Sequence, residues 1–324
     1  MKYRYLIEFD NPDHAYYSSS FDSPEGERME NVSMLTLPDV SGHRFFAMTA
    51  NEWPYRKNQD QQMYHHHQVG YETFFIKEGS LDLHINGKRC FVKAGSIVNY
   101  RPYEMHAMTI HETVVSRGFF QNYDSLDSVV EMRLLESYDP DARKKMMESR
   151  PPEEAMSDFH INEYMDYEKV PVEQVYSVKH PDRPQATFDF DGVKAKLLLA
   201  RWDLGGLREV WRFEMEKGFH AESVDYPGHR SLIYLTDGAV EVKIYDDEFV
   251  ADKECLIDIP KNLKYTIKAK TDAKMYEVGG LSGWYNFMHD YTAVKKNNPD
   301  KFNDEKYIAD LKKKNQIFIK SCGK

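Results

Sequence analysis

The sequence predicts a mainly β protein built from two small antiparallel barrels, with helical segments between and after them. Short apolar runs alternate with polar residues and are separated by turn signals, which is typical of antiparallel strands. A unit made of an apolar strand, a turn with an acidic residue and glycine, and an alternating strand occurs twice, about 159 residues apart. Helix-like patterns lie outside the two β-rich blocks. Together these observations favour a duplicated β fold.

The composition is that of a globular protein, and it argues against several classes of partner. The 324 residues are enough for two domains, 41% of them are hydrophobic, and the net charge is −10. We expect neither nucleic acid nor an anionic membrane as a partner, because both require a basic face. No stretch reaches the roughly 20 apolar residues of a membrane span. The three distant cysteines suggest no disulfide framework, so a cytoplasmic protein is expected.

The first segment, residues 1–42, is predicted to be an arm. It is rich in Tyr, Ser, Asp and Pro, and it carries turn signals at Asn11-Pro12-Asp13 and Ser23-Pro24-Glu25-Gly26. We expect one or two strands in this arm. They would pack either on another subunit or on the second barrel.

The first barrel is predicted over residues 43–124. From Tyr71 to Lys77 the side chains alternate, which places Glu72, Phe74 and Ile76 on one face of a strand. Asn86-Gly87 is the strongest hairpin signal in the chain. Many short strands with regular turns are typical of a small antiparallel barrel.

The second barrel is predicted over residues 188–280. Its centre, from Ser231 to Val242, repeats the pattern that runs from Glu72 to Leu83. An internal repeat of this length indicates that one structural unit was duplicated.

Two segments outside the barrels carry helical patterns. Residues 125–187 are predicted to be a partly helical linker that ends in a turn-rich stretch. Residues 281–324 are predicted to be a C-terminal helical segment, with helices at Trp284–His289 and Lys306–Ile319.

Four side chains in the first barrel have the chemistry of metal ligands: His65, His67, Glu72 and His106. On a strand, His65 and His67 point to the same side and His66 points away. Glu72 shares its face with apolar residues, and a buried carboxylate without a partner is costly. Two histidines and a cation beside it would remove that cost. The alternative interpretation is a polar loop that happens to contain histidines.

The spacing of these residues resembles the two motifs of the cupin superfamily. His-x-His is followed after four residues by Glu72 and after six more by Gly79, and ten residues separate Gly95 from His106. The resemblance implies a jelly-roll fold for the first barrel. With the internal repeat, it implies a bicupin.

The chain departs from the cupin motifs at three places in the first barrel. Gln59 stands where a glycine is expected, Pro102 lies one residue late, and Glu104 is near the place of a missing glycine. The predicted ligand positions are all kept.

The second barrel departs from the motifs at the ligand positions themselves. Counting back from Gly238, these places hold Val224, Tyr226 and Ser231, while Tyr265 lies roughly where the last histidine belongs. We expect this barrel to lack a metal and to serve structure, dimerisation or pocket shaping.

The resemblance implies one divalent metal ion per chain, which would be Mn, Fe, Zn, Co or Ni, with Mn or Fe favoured. It implies an enzyme that cleaves a C–C bond in a small oxygenated substrate. One form is the hydrolytic ring opening of a cyclic β-diketone such as dihydrophloroglucinol. The alternatives are a quercetinase-like ring-cleaving dioxygenase and a non-catalytic small-molecule-binding cupin. Unpaired barrel edges and the flanking arms favour a homo-oligomer.

The candidate catalytic residue is Glu72, which would leave the metal transiently to move a proton. Five further residues are predicted to contact the small-molecule substrate. Strand parity with the ligands selects Phe74 and Met108, and the turn that leads to His106 adds Arg101, Tyr103 and Glu104.

Overall fold

A computed structural model of the chain describes residues 5–9, 11–15, 17–22, 28–36, 46–52, 65–121, 159–161, 171–206, 208–225, 230–280, 284–315 and 321–323. The chain divides into two compact units. The first unit spans Ala15–His180, and the second consists of Met1–His14 together with Pro181–Lys324. Among the described residues, none of the helices combines the length and apolar character needed to cross a membrane.

The strands are numbered in chain order, and the first of them, β1 (Leu6–Glu8), belongs to the second unit. The strands of the first unit are β2 (Tyr17–Asp22), β3 (Arg28–Met34), β4 (Phe46–Glu52), β5 (His65–His67), β6 (Tyr71–Glu78), β7 (Ser80–Ile85), β8 (Lys88–Lys93), β9 (Ile97–Tyr100), β10 (His106–Ile110), β11 (Val114–Gln121), β12 (Phe159–Ile161) and β13 (Val178–Lys179). They form one sheet in the order β12-β5-β10-β7-β8 and another in the order β13-β9-β6-β11-β4-β3-β2.

Alternating apolar side chains from both sheets of the first unit form one buried cluster. Leu81 and Leu83 of β7 are fully buried there, as are Val98 of β9 and Val114 of β11. The two sheets therefore pack face to face around a shared core. The predicted hairpin at Asn86-Gly87 is confirmed, because both residues have positive φ, 47° and 76°, as a type I′ turn requires.

The second unit has the same layout with helices added. Its remaining strands are β14 (Ala186–Phe190), β15 (Val193–Leu199), β16 (Arg208–Met215), β17 (His220–Asp225), β18 (Ser231–Asp237), β19 (Ala239–Ile244), β20 (Asp247–Asp252), β21 (Cys255–Ile259), β22 (Lys264–Ala269), β23 (Ala273–Gly280) and β24 (Ser321–Gly323). The sheet orders are β1-β21-β18-β23-β16-β15-β14 and β20-β19-β22-β17-β24.

In the described part of the chain after β23, the helices are α1 (Trp284–Asn297), α2 (Pro299–Phe302) and α3 (Glu305–Lys314). Asp304 caps α3, because its side chain accepts hydrogen bonds from the backbone N–H groups of Lys306 and Tyr307. Phe287 and Met288 of α1 and Leu311 of α3 are buried in the barrel core, so these helices cover the second barrel. The helix predicted at Trp284–His289 is present and runs on to Asn297. The helix predicted at Lys306–Ile319 is present as Glu305–Lys314, and Ile319 lies outside the described residues.

Strand pairs of the first barrel recur in the second barrel between residues whose numbers are 159 higher. Glu72 pairs with Tyr100 in the first barrel, and Ser231 pairs with Ile259 in the second. The positive φ of Tyr103, 64°, returns at Asn262 as 62°. The mainly β fold and the internal repeat predicted from the sequence are thus confirmed.

The strand pairing distributes two predicted segments differently from the sequence analysis. The arm, residues 1–42, is split: Leu6 in β1 pairs with Ile257 in the second unit, while β2 and β3 extend a sheet of the first. The linker, residues 125–187, contributes β12 and β13 to the first unit. These pairings join residues that are distant in sequence, so local patterns did not reveal them. The helix predicted between residues 129 and 147 lies outside the described residues.

Candidate metal centre

Three histidine side chains of the first unit converge inside the barrel. One ring nitrogen from each of His65, His67 and His106 lies within 4.8 Å of the others. The three residues are only 5%, 2% and 1% exposed. Backbone pairing places His106 of β10 directly opposite His65 of β5, and their ring centroids are 4.3 Å apart. This cluster is referred to below as the histidine triad.

Strand alternation accounts for which histidines join the triad. His65 and His67 are two residues apart on β5 and are both buried, while His66 between them is half-buried. The ring of His66 stacks on Tyr103, with centroids 6.0 Å apart. The three adjacent histidines therefore supply two members of the triad, and the third comes from β10.

Glu72, at the second position of β6, lies beside the triad. Its Oε1 is 3.1 Å from Nε2 of His67, and its Oε2 is 3.8 Å from Nε2 of His106. Burial acts to raise the pKa of Glu72, but the charge and hydrogen bond of His67 and the charges of the other two histidines lower it to about 2. The carboxylate is therefore ionised at neutral pH.

His106 is held in one orientation from two sides. Its Nδ1 lies 2.7 Å from the backbone oxygen of Glu104, and its ring stacks on Tyr100 with centroids 3.8 Å apart. Because a carbonyl oxygen only accepts, Nδ1 carries the proton and Nε2 presents a lone pair toward the triad. Burial, partly opposed by Glu72, lowers the pKa of His106 to about 4, so the ring is neutral at neutral pH.

This donor set fits a divalent cation. Metal ligands must be deprotonated, and a ligating imidazole characteristically donates its other N–H to a carbonyl or carboxylate. The triad offers that arrangement at His106, and Glu72 adds a negative charge in a buried place. The histidine triad could thus bind one metal ion, as the sequence analysis predicted.

The two predicted substrate contacts on strands lie in the barrel. The ring of Phe74 meets Tyr100 edge-on at 5.9 Å and Phe120 at 5.4 Å. Met108 is 4% exposed and belongs to the apolar core of the first unit. Their substrate contacts remain predictions.

The three predicted contacts from the turn have different surroundings. Tyr103 is 66% exposed and stacks on His66. Arg101 Nη2 donates to Oε1 of the buried Glu104 at 2.6 Å, and Ser177 Oγ lies 3.2 Å from the same oxygen. The Glu104 carboxylate is therefore engaged within the protein. Substrate contacts of these residues also remain predictions.

Tyr100 and Ser177 are neighbours of the site that were not predicted from the sequence. The position of Tyr100 follows from the pairing of β9 with β6, in which Tyr100 lies opposite Glu72. No local pattern pointed to Ser177, which reaches Glu104 from 73 residues away along the chain.

The second barrel places other side chains at the corresponding positions. Tyr265 pairs with Val224, just as His106 pairs with His65. Ser231, at the place of Glu72, is fully buried and donates to Oε1 of Glu277 at 2.8 Å. Tyr226 lies outside the described residues.

Solved structures with a similar fold include enzymes and storage proteins. Oxalate decarboxylase from Bacillus subtilis, studied for its Mn(II) centres, matches with a TM-score of 0.53 and 10% identity, over 87% of this chain and 80% of that one. Salicylate 1,2-dioxygenase from Pseudaminobacter salicylatoxidans matches with a TM-score of 0.54 and 11% identity, over 76% and 75%. Procruciferin, an 11S globulin from Brassica napus, matches with a TM-score of 0.54 and 8% identity, over 85% and 84%.

All three of these proteins are bicupins. At the level of sequence, no protein-family model matches the chain, and no curated protein matches it. The likeness is therefore one of fold.

Proposed function

We propose that this chain, a bicupin by fold, is a metal-dependent enzyme that cleaves a C–C bond in a small oxygenated substrate. The observation that carries the proposal is the buried histidine triad with Glu72 beside it. Mn²⁺ or Fe²⁺ is the favoured ion. When bound, such a cation supplies Lewis acidity toward a substrate oxygen and stabilises the negative charge of an enolate or phenolate.

In this proposal the residues of the chain bind, orient and move a proton. His65, His67 and His106 hold the cation through their ring nitrogens. Glu72 completes the ligand set and moves a proton to or from the substrate. Its Oε1 lies 3.1 Å from Nε2 of His67 and its Oε2 lies 3.8 Å from Nε2 of His106, so the carboxylate is close to the place where the cation would bind.

The surroundings of the triad favour a ring-shaped substrate. Tyr100 stacks on His106, and the rings of Phe74 and Phe120 continue the aromatic surface. Aromatic side chains pack well against the faces of rings, which suits a cyclic substrate of either kind, diketone or phenol. Of the two we favour a cyclic β-diketone such as dihydrophloroglucinol, opened by hydrolysis, with its oxygens directed at the cation.

A ring-cleaving dioxygenase is the second candidate. The observation in its favour is the likeness in fold to salicylate 1,2-dioxygenase, a protein whose substrate is a phenol. A non-catalytic binding protein is the third candidate, and the likeness to 11S globulins favours it.

Product analysis with an oxygen electrode distinguishes these candidates. The protein is loaded with Mn²⁺ or Fe²⁺ and incubated with dihydrophloroglucinol, salicylate and related phenols, with and without O₂. Ring-opened product without oxygen uptake supports the hydrolase, whereas strict oxygen dependence supports the dioxygenase. Tight binding of a ring compound without any product would favour the binding protein. His106→Ala serves as the metal-free control.

The predicted homo-oligomer is part of the proposal. Unpaired sheet edges favour self-association, and a cyclic dimer is the commonest outcome. Sedimentation equilibrium of the full chain tests this, and a monomer at all concentrations would contradict it.

A further inference from the structure

The turn from Arg101 to Glu104 contacts two members of the histidine triad. The backbone N–H of Tyr103 donates to the backbone oxygen of His67 at 2.7 Å. The backbone oxygen of Glu104 lies 2.7 Å from Nδ1 of His106. This turn therefore contacts the backbone of β5 and helps to orient the His106 ring.

The Glu104 carboxylate fastens this turn. Its Oε2 accepts from the Arg101 backbone N–H at 2.9 Å, and its Oε1 accepts from Arg101 Nη2 at 2.6 Å. Ser177 Oγ lies 3.2 and 3.3 Å from the two oxygens. Ser177 is itself anchored, because its backbone oxygen accepts from the Asn99 N–H at 2.8 Å. Burying a carboxylate is costly, and these charged and polar partners offset that cost.

The second barrel builds the same turn without a carboxylate. Asn262 has a φ of 62°, matching 64° at Tyr103. The residue at the place of Glu104 is Leu263, which packs against the apolar core of the second unit. Two residues later stands Tyr265 in place of His106. The backbone turn therefore does not require the carboxylate, and the carboxylate occurs in the barrel that has the histidine.

We propose that Glu104 is a positioning residue for the metal centre and that it acts through Arg101 and Ser177. By fixing its own backbone oxygen, it keeps His106 protonated at Nδ1 and directs Nε2 toward the triad. The inference rests on the proposed function for the identity of the ion, but the state of the His106 ring is measurable without metal. Mutating such partners of a ligating histidine typically changes metal affinity by about 10- to 100-fold.

The test uses the full chain with Glu104→Leu, which introduces the residue that the second barrel has in the same turn. We expect the ¹⁵N shifts of His106, in metal-free protein with ¹⁵N-labelled histidine, to move from the Nδ1–H tautomer toward a mixture. We expect the Mn²⁺ dissociation constant, measured by EPR of free Mn²⁺, to rise by about 10-fold or more. Glu104→Gln keeps the size and one acceptor, so it should recover part of the affinity.

The matched control is Glu112→Leu, at an exposed carboxylate that accepts a hydrogen bond from Ser80. It should leave both readouts unchanged. A folded Glu104→Leu protein with wild-type His106 shifts and wild-type Mn²⁺ affinity would overturn the inference. If that variant does not fold, Ser177→Ala must show the same changes to a smaller extent, and unchanged readouts there would equally overturn it. Absence of Mn²⁺ and Fe²⁺ binding by the wild type would defeat the proposed function, while the His106 shifts would still decide the role of Glu104.

Discussion

Tyr265 occupies in the second barrel the position that His106 occupies in the first. Each residue begins the same pairing, His106 with His65 and Tyr265 with Val224, and the two pairs lie 159 positions apart. The same strand pairing is thus present in both barrels, while among the described residues the histidine cluster occurs in the first.

Removing one member of the triad should abolish tight metal binding. His65→Ala or His106→Ala takes away a buried ring nitrogen. Changing a residue that only hydrogen-bonds to a metal ligand typically costs roughly 10- to 100-fold in metal affinity, and we expect the loss of Mn²⁺ affinity here to be at least as large. Metal content by mass spectrometry and EPR titration measure this. His66→Ala is the control, because His66 stacks on Tyr103 outside the triad. Equal losses in all three variants would contradict the assignment of ligands.

Glu72→Gln should lower turnover strongly while preserving the size of the side chain. If Glu72 moves a proton during the reaction, removing its charge and basicity costs about 10²- to 10⁴-fold in kcat. Steady-state kinetics at saturating metal measures the effect. The control is Glu112→Gln, at an exposed carboxylate of the same unit. Full turnover by Glu72→Gln would remove its proposed role.

Glu209 in the second barrel should make stability depend on pH. Burial raises its pKa from 4.5 to about 7, with Glu277 adding to the rise while the hydrogen bond from Trp211 and the charge of Arg201 oppose it. The folded chain therefore holds this proton between pH 4.5 and 7 while the unfolded chain releases it. Stability falls by up to about 3 kcal/mol as pH rises through that window.

The variant that tests this is Glu209→Gln, which cannot titrate. Its melting temperature relative to wild type should increase from pH 4.5 to pH 7 and then level off. Glu214→Gln on the same strand is the control, and its difference from wild type should stay constant between pH 4.5 and 7, because a lowered pKa places its pH dependence below that window. Burial acts to raise the pKa of Glu214, but Lys196 and Arg212 outweigh this and lower it. A pH-independent difference for Glu209→Gln would contradict the prediction.

A side chain at Gly238 should lower the free energy of unfolding more than a side chain at Gly206, although both glycines have positive φ. Gly238 has a φ of 75°, and a Cβ there would overlap the backbone oxygen of Asp272. Gly206 has a similar φ of 82°, but a Cβ there meets nothing within 4 Å. Gly206→Ala should therefore cost only the roughly 1–2 kcal/mol of left-handed backbone strain. Gly238→Ala should cost about 1–3 kcal/mol more, and denaturant unfolding of both variants measures the difference.

The sequence predicted those features that local spacing determines. Alternation along β5 separated His65 and His67 from His66, and the spacing to Glu72 and His106 identified the residues that now lie together. The Asn86-Gly87 turn was equally local. These features could be predicted because a strand has a fixed period of two residues.

The features that the sequence did not predict arise from pairing between distant segments. β12 and β13 come from a stretch interpreted as a linker, and they flank β5 and β9 of the metal-site barrel. Short strands of this kind gain their stability from their neighbours rather than from their own composition. The contact of Ser177 with Glu104 depends on that pairing, so it could not be foreseen.

The pairing of Leu6–Glu8 with Cys255–Ile257 has a consequence for synthesis on the ribosome. Translation proceeds at about 5–20 residues per second, so β1 waits on the order of ten seconds or more before its partner strand emerges. During that interval all strands of the first unit are completed. The first unit is thus able to fold first, and the larger sheet of the second unit gains its edge strand only when β1 pairs with the much later β21.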